Sequence, residues 1–154
     1  MANYDLGALM DRLLEMEKEA VDESSGVAYF PYEQESFPYW TNRIVGMTPD
    51  YVAQDIAHYP FRIAARLVLG HLTEGYKGEL ILSAYDHIAA VTAYFKDRPG
   101  MNSNAHTTQM EDIFTDFELV DVIGPAAFRN DGIGNTQVGI EFIFTLPVID
   151  VQFR

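Results

Sequence analysis

The stretch that decides the fold is Phe61–Leu72, which reads FRIAARLVLGHL. Every second residue falls on the same side of an extended chain, so the run divides into two sets, Ile63, Ala65, Leu67 and Leu69 on one side and Arg62, Ala64, Arg66 and Val68 on the other. A short apolar run is compatible with a helix or a strand, and the two-residue alternation favours a strand. We therefore predict a β-strand over residues 60–72.

Two elements follow this strand. Residues 73–78 contain two glycines and are predicted to form a turn. An apolar stripe at helical spacing then runs from Glu79 to Lys96, through Leu80, Ala84, Ile88, Val91 and Phe95. Asp97-Arg98-Pro99-Gly100 ends the helix, because a residue before proline is disfavoured in the α conformation.

The C-terminal third is predicted to be a β-hairpin. Its strands are expected at residues 113–123 and 136–146, the second of which alternates through Val138, Ile140, Phe142, Phe144 and Leu146. Asn and Gly residues between 130 and 135 supply turn chemistry. We expect Pro147 to interrupt the second strand and leave Val148–Arg154 as an extended tail. The polar segment Met101–Asp112 is predicted to be a long loop.

The N-terminal part begins with an amphipathic pattern over residues 4–21, which predicts a helix with Asn3 or Asp5 as its N-cap. Ser24-Ser25-Gly26 ends the pattern. A strand is predicted near residues 38–46, at a sheet edge because Pro38 has no N–H to donate. Thr48 and Pro49 resemble a helix start, so we expect a short helix reaching Tyr59.

These elements describe one α+β domain over residues 1–154. It has an N-terminal helix, a mixed or antiparallel sheet with one long packing helix, and a C-terminal hairpin. A chain of 154 residues has the size of one domain and buries roughly 70% of its unfolded surface. The hydrophobic fraction of 48% is too high for a disordered chain.

The charge and the composition exclude several classes of protein. Ten basic and 23 acidic residues give a net charge of -13, which opposes attraction to nucleic-acid phosphates. The chain has no cysteine, so disulfides and thiolate metal sites are excluded. We find no signal-peptide pattern and no apolar run long enough for a membrane span, so we expect a soluble protein of a reducing compartment.

No catalytic, metal or cofactor site is predicted. The four histidines lie far apart in sequence, without HExxH or another ligand spacing. Gly132, Gly134 and Gly139 resemble a nucleotide-binding loop, but a strand follows them and phosphate binding requires a helix N-terminus. The acidic residues are interpreted as solvated surface, and we expect no enzymatic activity.

Residues 61–79, together with Tyr94-Phe95-Lys96-Asp97-Arg98-Pro99-Gly100, resemble the tail terminator or neck-type proteins of long-tailed bacteriophages. The order of the elements is similar to that family across most of the chain. The resemblance implies a homo-oligomeric ring, six-fold in many relatives. It also implies that the ring caps the tail tube, ends its polymerisation and docks the tail to the head connector.

Partners implied by this resemblance are other copies of the chain, the tail tube protein and the head completion or connector protein, within a virion assembled in the host cytoplasm. Genomic DNA is expected to pass through the ring without specific binding. Large side chains in extended segments give the candidate interface residues, namely Phe30, Tyr32, Trp40, Met101, His106, Met110, Val148 and Phe153. Trp40 is interpreted equally well as a core residue. Candidate acidic residues of the channel are Glu111, Asp112, Asp116 and Glu118.

Two alternative functions remain open at this point. One is another virion ring component, either a head completion protein or a tail tube subunit. The other is a small-molecule-binding or enzymatic α+β domain, which requires a concave pocket with convergent polar groups.

Overall fold

The computed structural model describes residues 6–27, 37–47, 50–53, 56–71, 78–96, 118–129 and 136–150. Its elements in chain order are α1 (Leu6–Ala20), β1 (Ser25–Val27), β2 (Tyr39–Met47), β3 (Asp50–Ala53), β4 (Ile56–His71), α2 (Gly78–Lys96), β5 (Glu118–Arg129) and β6 (Thr136–Asp150). The predicted α+β class is confirmed. So are the N-terminal helix, the long packing helix and the C-terminal hairpin, in which β5 and β6 pair antiparallel.

The strands form a six-stranded mixed sheet with the order β1-β2-β4-β6-β5, and β3 pairs with β4 off this path. β1 and β2 are parallel, and the other pairs are antiparallel. The predicted edge position of β2 needs a correction, because the unpredicted strand β1 pairs with Tyr39, Trp40 and Thr41. β4 and β6, which have the clearest alternation in sequence, lie in the middle of the sheet.

The two helices pack on one face of the sheet and form the hydrophobic core with it. The buried core residues are Met10, Leu13, Met16, Val21, Trp40, Ile63, Ala65, Leu67, Leu69, Ala84, Val91, Phe95, Ile140, Phe142 and Phe144. The Trp40 ring lies 5.6 Å from Phe142, and the Phe95 ring lies 4.8 Å from Phe144. The first set of β4 residues predicted from alternation is therefore the core face. Neither described helix is long and apolar enough to cross a membrane.

The other face of the sheet, which we call the polar face, is buried at its centre as well. Buried residues there are Tyr39, Thr41, Ala64, Arg66, Val68, Gln137, Glu141 and Ile143. Successive side chains of a strand point to opposite faces of the sheet, so these residues lie on the face away from the core residues of the same strands. Both faces of β4 are thus buried from Ile63 to Leu69, and of the two arginines on the second face Arg66 is buried and Arg62 is exposed.

Hydrogen bonds tie the end of α1 to β2. The Ser24 hydroxyl donates to the Val21 carbonyl over 2.5 Å and accepts the Trp40 indole N–H over 3.1 Å. The predicted termination of α1 before Ser24-Ser25-Gly26 is confirmed. Ser25 and Gly26 are the first two residues of β1, a strand that the sequence did not predict.

The predicted short helix over residues 48–59 is wrong. Asp50–Ala53 form β3, which pairs antiparallel with β4, and β4 already begins at Ile56. The helix-start signal at Thr48 and Pro49 is local, and strand pairing with β4 overrides it. Thr48 and Pro49 themselves lie outside the described residues.

Pro147 does not interrupt β6, which continues to Asp150. It stands directly opposite Pro60 of β4. An antiparallel ladder needs an N–H from each residue only at its hydrogen-bonded pairs. Two prolines therefore fit opposite each other at a pair where neither residue donates.

β5 differs from its predicted range of 113–123, since it is described from Glu118 and extends to Arg129. It passes through Gly124, whose φ of +115° favours glycine. The pairing with β6 is irregular between Ile123 and Ala126, which flank this glycine. The predicted turn at 130–135 and the predicted loop at 101–112 lie outside the described residues.

Candidate functional site

A buried charged cluster occupies the centre of the polar face. We call it the Arg66 cluster and define it by Arg66, Glu141, Gln137, Tyr39 and Phe128. Arg66 and Glu141 are 5% and 7% exposed, and Gln137 is fully buried. Because these residues come from β2, β4, β6 and β5, the cluster spans the four adjacent strands of the sheet.

Each polar side chain of this cluster has a partner inside it. Arg66 Nε and Nη2 donate to Glu141 Oε2 over 3.1 and 3.0 Å, and Arg66 Nη1 donates to Gln137 Oε1 over 3.0 Å. Gln137 Nε2 donates to the Tyr39 hydroxyl over 3.0 Å. The guanidinium carbon also lies 4.6 Å from the centre of the Phe128 ring. A buried network whose polar groups are paired in this way stabilises one alignment of the strands.

Arg43 connects this cluster to the outer part of β2. Its Nη2 atom lies 3.8 Å from Glu141 Oε1, and its side chain is 42% exposed. Glu141 therefore lies between a buried arginine and a solvent-exposed one. Arg43 is thus the exposed end of this network.

On each side of the sheet, part of an outer strand has no described pairing partner. On one side, β1 covers only the first three residues of β2, and no described strand pairs with the outer side of residues 42–47, which we call the β2 edge. On the other side, β5 is the last strand, and its outer side, which we call the β5 edge, likewise has no pairing partner among the described strands.

Apolar side chains are concentrated at these two edges. The described part of the chain has six exposed large hydrophobic residues, and four of them lie here, at 40% to 46% exposure. Ile44 and Val45 belong to the β2 edge, and Val120 and Ile123 belong to the β5 edge. The other two, Leu82 and Tyr85, lie on α2.

The two edges also differ in charge. Exposed Arg43 lies at the β2 edge, and exposed Arg62 pairs with Gly46 of that edge from the adjacent strand β4. On β5, exposed Glu118 and Asp121 lie on the polar face, and exposed Arg129, the last residue of the strand, pairs with Thr136 on the opposite face. One side of the polar face is therefore basic, and the other side is acidic.

Two titratable side chains away from the edges have shifted pKa values. Burial raises the pKa of Glu17 well above its ordinary value, and the hydrogen bond from Asn42 and the charge of Lys18 oppose this shift. Burial lowers the pKa of His87, with Asp86 and Glu23 acting in the opposite direction. Both groups lie on the helical side of the sheet. Among the described residues, no group of His, Asp and Glu side chains is arranged to hold a metal ion.

The candidate interface residues have three outcomes. Trp40 is wholly buried in the core, so its assignment to an interface is corrected in favour of the core interpretation. Val148 lies in β6, opposite Tyr59 of β4. The other candidates lie outside the described residues, namely Phe30, Tyr32, Met101, His106, Met110 and Phe153.

Of the four candidate channel acids, only Glu118 is described, and it is exposed at the start of β5. Glu111, Asp112 and Asp116 lie outside the described residues. Sequence reasoning did not identify the Arg66 cluster or the charge difference between the edges. The alternation predicts that Arg62 and Arg66 lie on the same face of β4. Which acidic residues lie near them depends on the order of the strands, and the sequence did not predict that order.

No protein-family model matches the chain. No curated protein is similar to it in sequence at a significant level.

Proposed function

We propose that the chain is a structural virion protein, one subunit of a ring that caps the tail tube of a long-tailed bacteriophage. In this proposal the ring ends tube polymerisation and docks the tail to the head connector. The resemblance of residues 61–79 and 94–100 to tail terminator proteins is the reason for choosing this ring over others. The α+β fold, with helices on one face of a mixed sheet, is compatible with it.

The observation that carries the proposal is the pair of unlike edges on one sheet. A ring needs a head-to-tail contact, in which two different patches on each subunit complement each other. The β2 edge and the β5 edge are such a pair, since they lie on opposite sides of the sheet and carry Arg43 and Asp121, respectively. An isologous dimer uses a single self-complementary patch and needs no such difference.

The acidity of the chain has a role in this proposal. The net charge is -13, and a channel wall of like charge repels the phosphate backbone of passing DNA. Screening limits this repulsion to about 8 to 10 Å at physiological salt, so only acids at the channel surface contribute. Glu118, exposed on the polar face, is the described candidate for such a position.

Assembly tests the proposal directly. Sedimentation velocity of the purified chain, alone and with isolated tail tubes, should show a multi-subunit species, and negative-stain electron microscopy should show a ring at one end of each tube. A chain that stays monomeric at all concentrations and does not bind tubes would contradict the proposal.

The same experiment separates the alternative ring components. A tail tube subunit should extend tubes along their length rather than cap one end. A head completion protein should bind the head connector in the absence of a tail. Binding restricted to one tube end, with tube elongation stopped, supports the terminator function.

A further inference from the structure

We infer that α1 is a pH-sensitive strap, which opens from the sheet as one unit about the joint at residues 21–25 and opens more often when Glu17 loses its proton. The sheet and α2 stay folded when the strap opens. This inference concerns a single copy of the chain and does not depend on the proposed ring. The joint, the buried carboxyl group and the remaining core each support it.

Hydrogen bonds fix the joint between α1 and β1 to the sheet. The Ser24 hydroxyl accepts the Trp40 indole N–H over 3.1 Å, and the Ser25 N–H donates to the Pro38 carbonyl over 3.2 Å. The Ser24 N–H donates to the Val21 carbonyl over 2.9 Å and closes the turn after the helix. Because these bonds lie beyond the C-terminal end of α1, the helix can leave the sheet while the joint stays in place.

Glu17 is the polar group of α1 that the closed strap buries against β2. It is wholly buried, and its Oε2 atom accepts a hydrogen bond from Asn42 Nδ2 over 3.0 Å. Its Oε1 atom has no hydrogen-bond partner among the described residues. An ionised carboxylate in this position gives up its hydration, which is costly for a charged group. Opening of α1 returns the carboxylate to water, so ionisation favours the open form.

The charged groups of α1 and of the adjacent strands do not offset this burial. Lys18 is exposed and opposes the effect of burial on the Glu17 pKa, yet that pKa remains raised well above its ordinary value. Arg12 lies 3.3 Å from the carboxylate of Glu15. Among the described residues, neither β1 nor the core-facing side of β2 carries an ionisable side chain.

The titratable groups of α2 act differently. The Tyr94 hydroxyl donates to Glu19, and the charges that act on His87 are those of Asp86 and Glu23. Burial lowers the pKa of His87, so protonation of this residue weakens the fold as pH falls. This is the opposite direction to the effect of Glu17. An increase in α1 opening with rising pH therefore identifies Glu17.

A core remains when α1 is open. α2 packs against β4, β5 and β6, and the Phe95 ring lies 4.8 Å from that of Phe144. The buried core residues outside α1 and the joint are Trp40, Ile63, Ala65, Leu67, Leu69, Ala84, Val91, Phe95, Ile140, Phe142 and Phe144. The sheet and α2 thus keep most of the core, and this allows one element to open at a lower free energy than the whole domain.

Native-state hydrogen exchange, read by mass spectrometry of peptides, tests the strap. A detached helix of 15 residues is marginal in water, so opening exposes the α1 amides to exchange. The opening constant of α1, from rates corrected for intrinsic exchange, should exceed the constants of α2 and β4 by about tenfold or more. It should also depend only weakly on low concentrations of urea, because opening exposes much less surface than global unfolding.

The pH dependence tests the role of Glu17. In the parent, the opening constant of α1 should rise by up to about tenfold per pH unit from pH 4.5 towards the raised pKa. Measurements stay below about pH 8, where tyrosine is neutral. Glu17→Gln should lack this rise, and Glu17→Met serves as a second non-ionising variant if the first does not fold. Asp11→Asn, at an exposed position of α1, is the control and should keep the rise.

Two results would overturn the inference. Equal opening constants for α1, α2 and β4, with the urea dependence of global unfolding, would show that the domain opens only as a whole. An α1 opening constant with the same pH dependence in the parent and in the non-ionising variants would show that Glu17 does not control the strap. Neither result bears on the ring, which the association measurements test separately.

Discussion

Asn42 Nδ2 donates a hydrogen bond to Glu17 Oε2 over 3.0 Å, inside the contact between α1 and β2. Glu17 is completely buried, and its second carboxyl oxygen has no hydrogen-bond partner among the described residues. Burial favours the neutral acid more strongly than the Asn42 hydrogen bond and the charge of Lys18 favour the ionised form, which is why the pKa of Glu17 is raised. The contact between the N-terminal helix and the sheet therefore includes a carboxyl group whose neutral form is favoured by burial.

Glu17→Gln should change how stability depends on pH. The folded-state pKa lies above the ordinary value of 4.5, so the folded chain binds a proton that the unfolded chain releases. The free energy of unfolding therefore falls as pH rises from about 4.5 through the raised pKa. Glutamine keeps an acceptor for Asn42 and cannot ionise, so the variant should lack this decline and should be more stable than the parent at pH values above the raised pKa.

Urea denaturation over a range of pH at constant ionic strength measures this difference. His87, whose pKa is lowered, contributes the opposite slope near neutral pH in both proteins and cancels in the comparison. Asp11→Asn, at an exposed position on the same helix, is the control and should leave the slope unchanged. Parallel stability curves for Glu17→Gln and the parent would show that folding does not raise the pKa of Glu17.

Trp40→Ala should destabilise the isolated subunit by about 3 to 5 kcal/mol, the usual range for removing a large buried aromatic side chain. The reason is that Trp40 is wholly buried against Phe142 and donates to Ser24. Tyr85→Ala is a matched control at an exposed aromatic residue and should change stability by about 0.5 kcal/mol or less. Thermal unfolding of the monomer measures both. If the Trp40→Ala subunit is as stable as the parent and only its assembly is lost, Trp40 is an interface residue and the core assignment is wrong.

Much of the fold could be predicted because its main elements have strong and extended patterns. The helical stripe of α2 and the alternation of β4 and β6 continue over many residues, and each was predicted close to its described range. The predictions were wrong where a local sequence signal for a helix start or a strand end competes with pairing between strands. The helix-start residues at 48 and 49 precede a strand that pairs with β4, and Pro147 is accommodated by Pro60 on the neighbouring strand.

The candidate site could not be predicted in the same way, because it depends on strand order. Arg43 and Asp121 are far apart in sequence, and only the order β2-β4-β6-β5 makes them the two ends of one row. Trp40 could not be assigned from the sequence for another reason. An aromatic residue in a β-rich segment is equally compatible with an interface and with the core. The contact with Phe142 decides between them.

Gly139→Ala should destabilise the sheet strongly, by about 1 to 3 kcal/mol or more. A β-carbon at this position would lie 2.2 Å from the backbone oxygen of Leu67, and a backbone atom in a central strand cannot move aside as a side chain can. Gly46→Ala is the matched control, because nothing lies within 4 Å of the added carbon. Urea denaturation should show a large loss for the first variant and little change for the second. Equal effects would contradict this account of β4 and β6 packing.

Removal of either partner of the Arg66 and Glu141 pair should be costly, and the two costs should differ. Breaking a buried ion pair from one side typically costs about 3 to 5 kcal/mol, because the remaining charge is left uncompensated. Arg66→Met leaves Glu141 with a second arginine, Arg43, at 3.8 Å. Glu141→Leu leaves the Arg66 guanidinium with the neutral Gln137 and the ring of Phe128. Glu141→Leu should therefore be the more destabilising single change.

The double variant Arg66→Met/Glu141→Leu should be more stable than Glu141→Leu alone, since apolar residues of similar volume often replace a buried ion pair at little net cost. The double variant Arg43→Gln/Arg66→Met lacks both arginines that lie near Glu141. Its loss in the free energy of unfolding should therefore be close to the loss in Glu141→Leu. Arg43→Gln in the parent is the control and should have a small effect, because this arginine is 42% exposed. Guanidinium denaturation of the set, analysed as a double-mutant cycle, measures the coupling. Additive losses in the double variant would mean that the two buried charges do not depend on each other, and the Arg66 cluster would then not be what holds β4 and β6 in register.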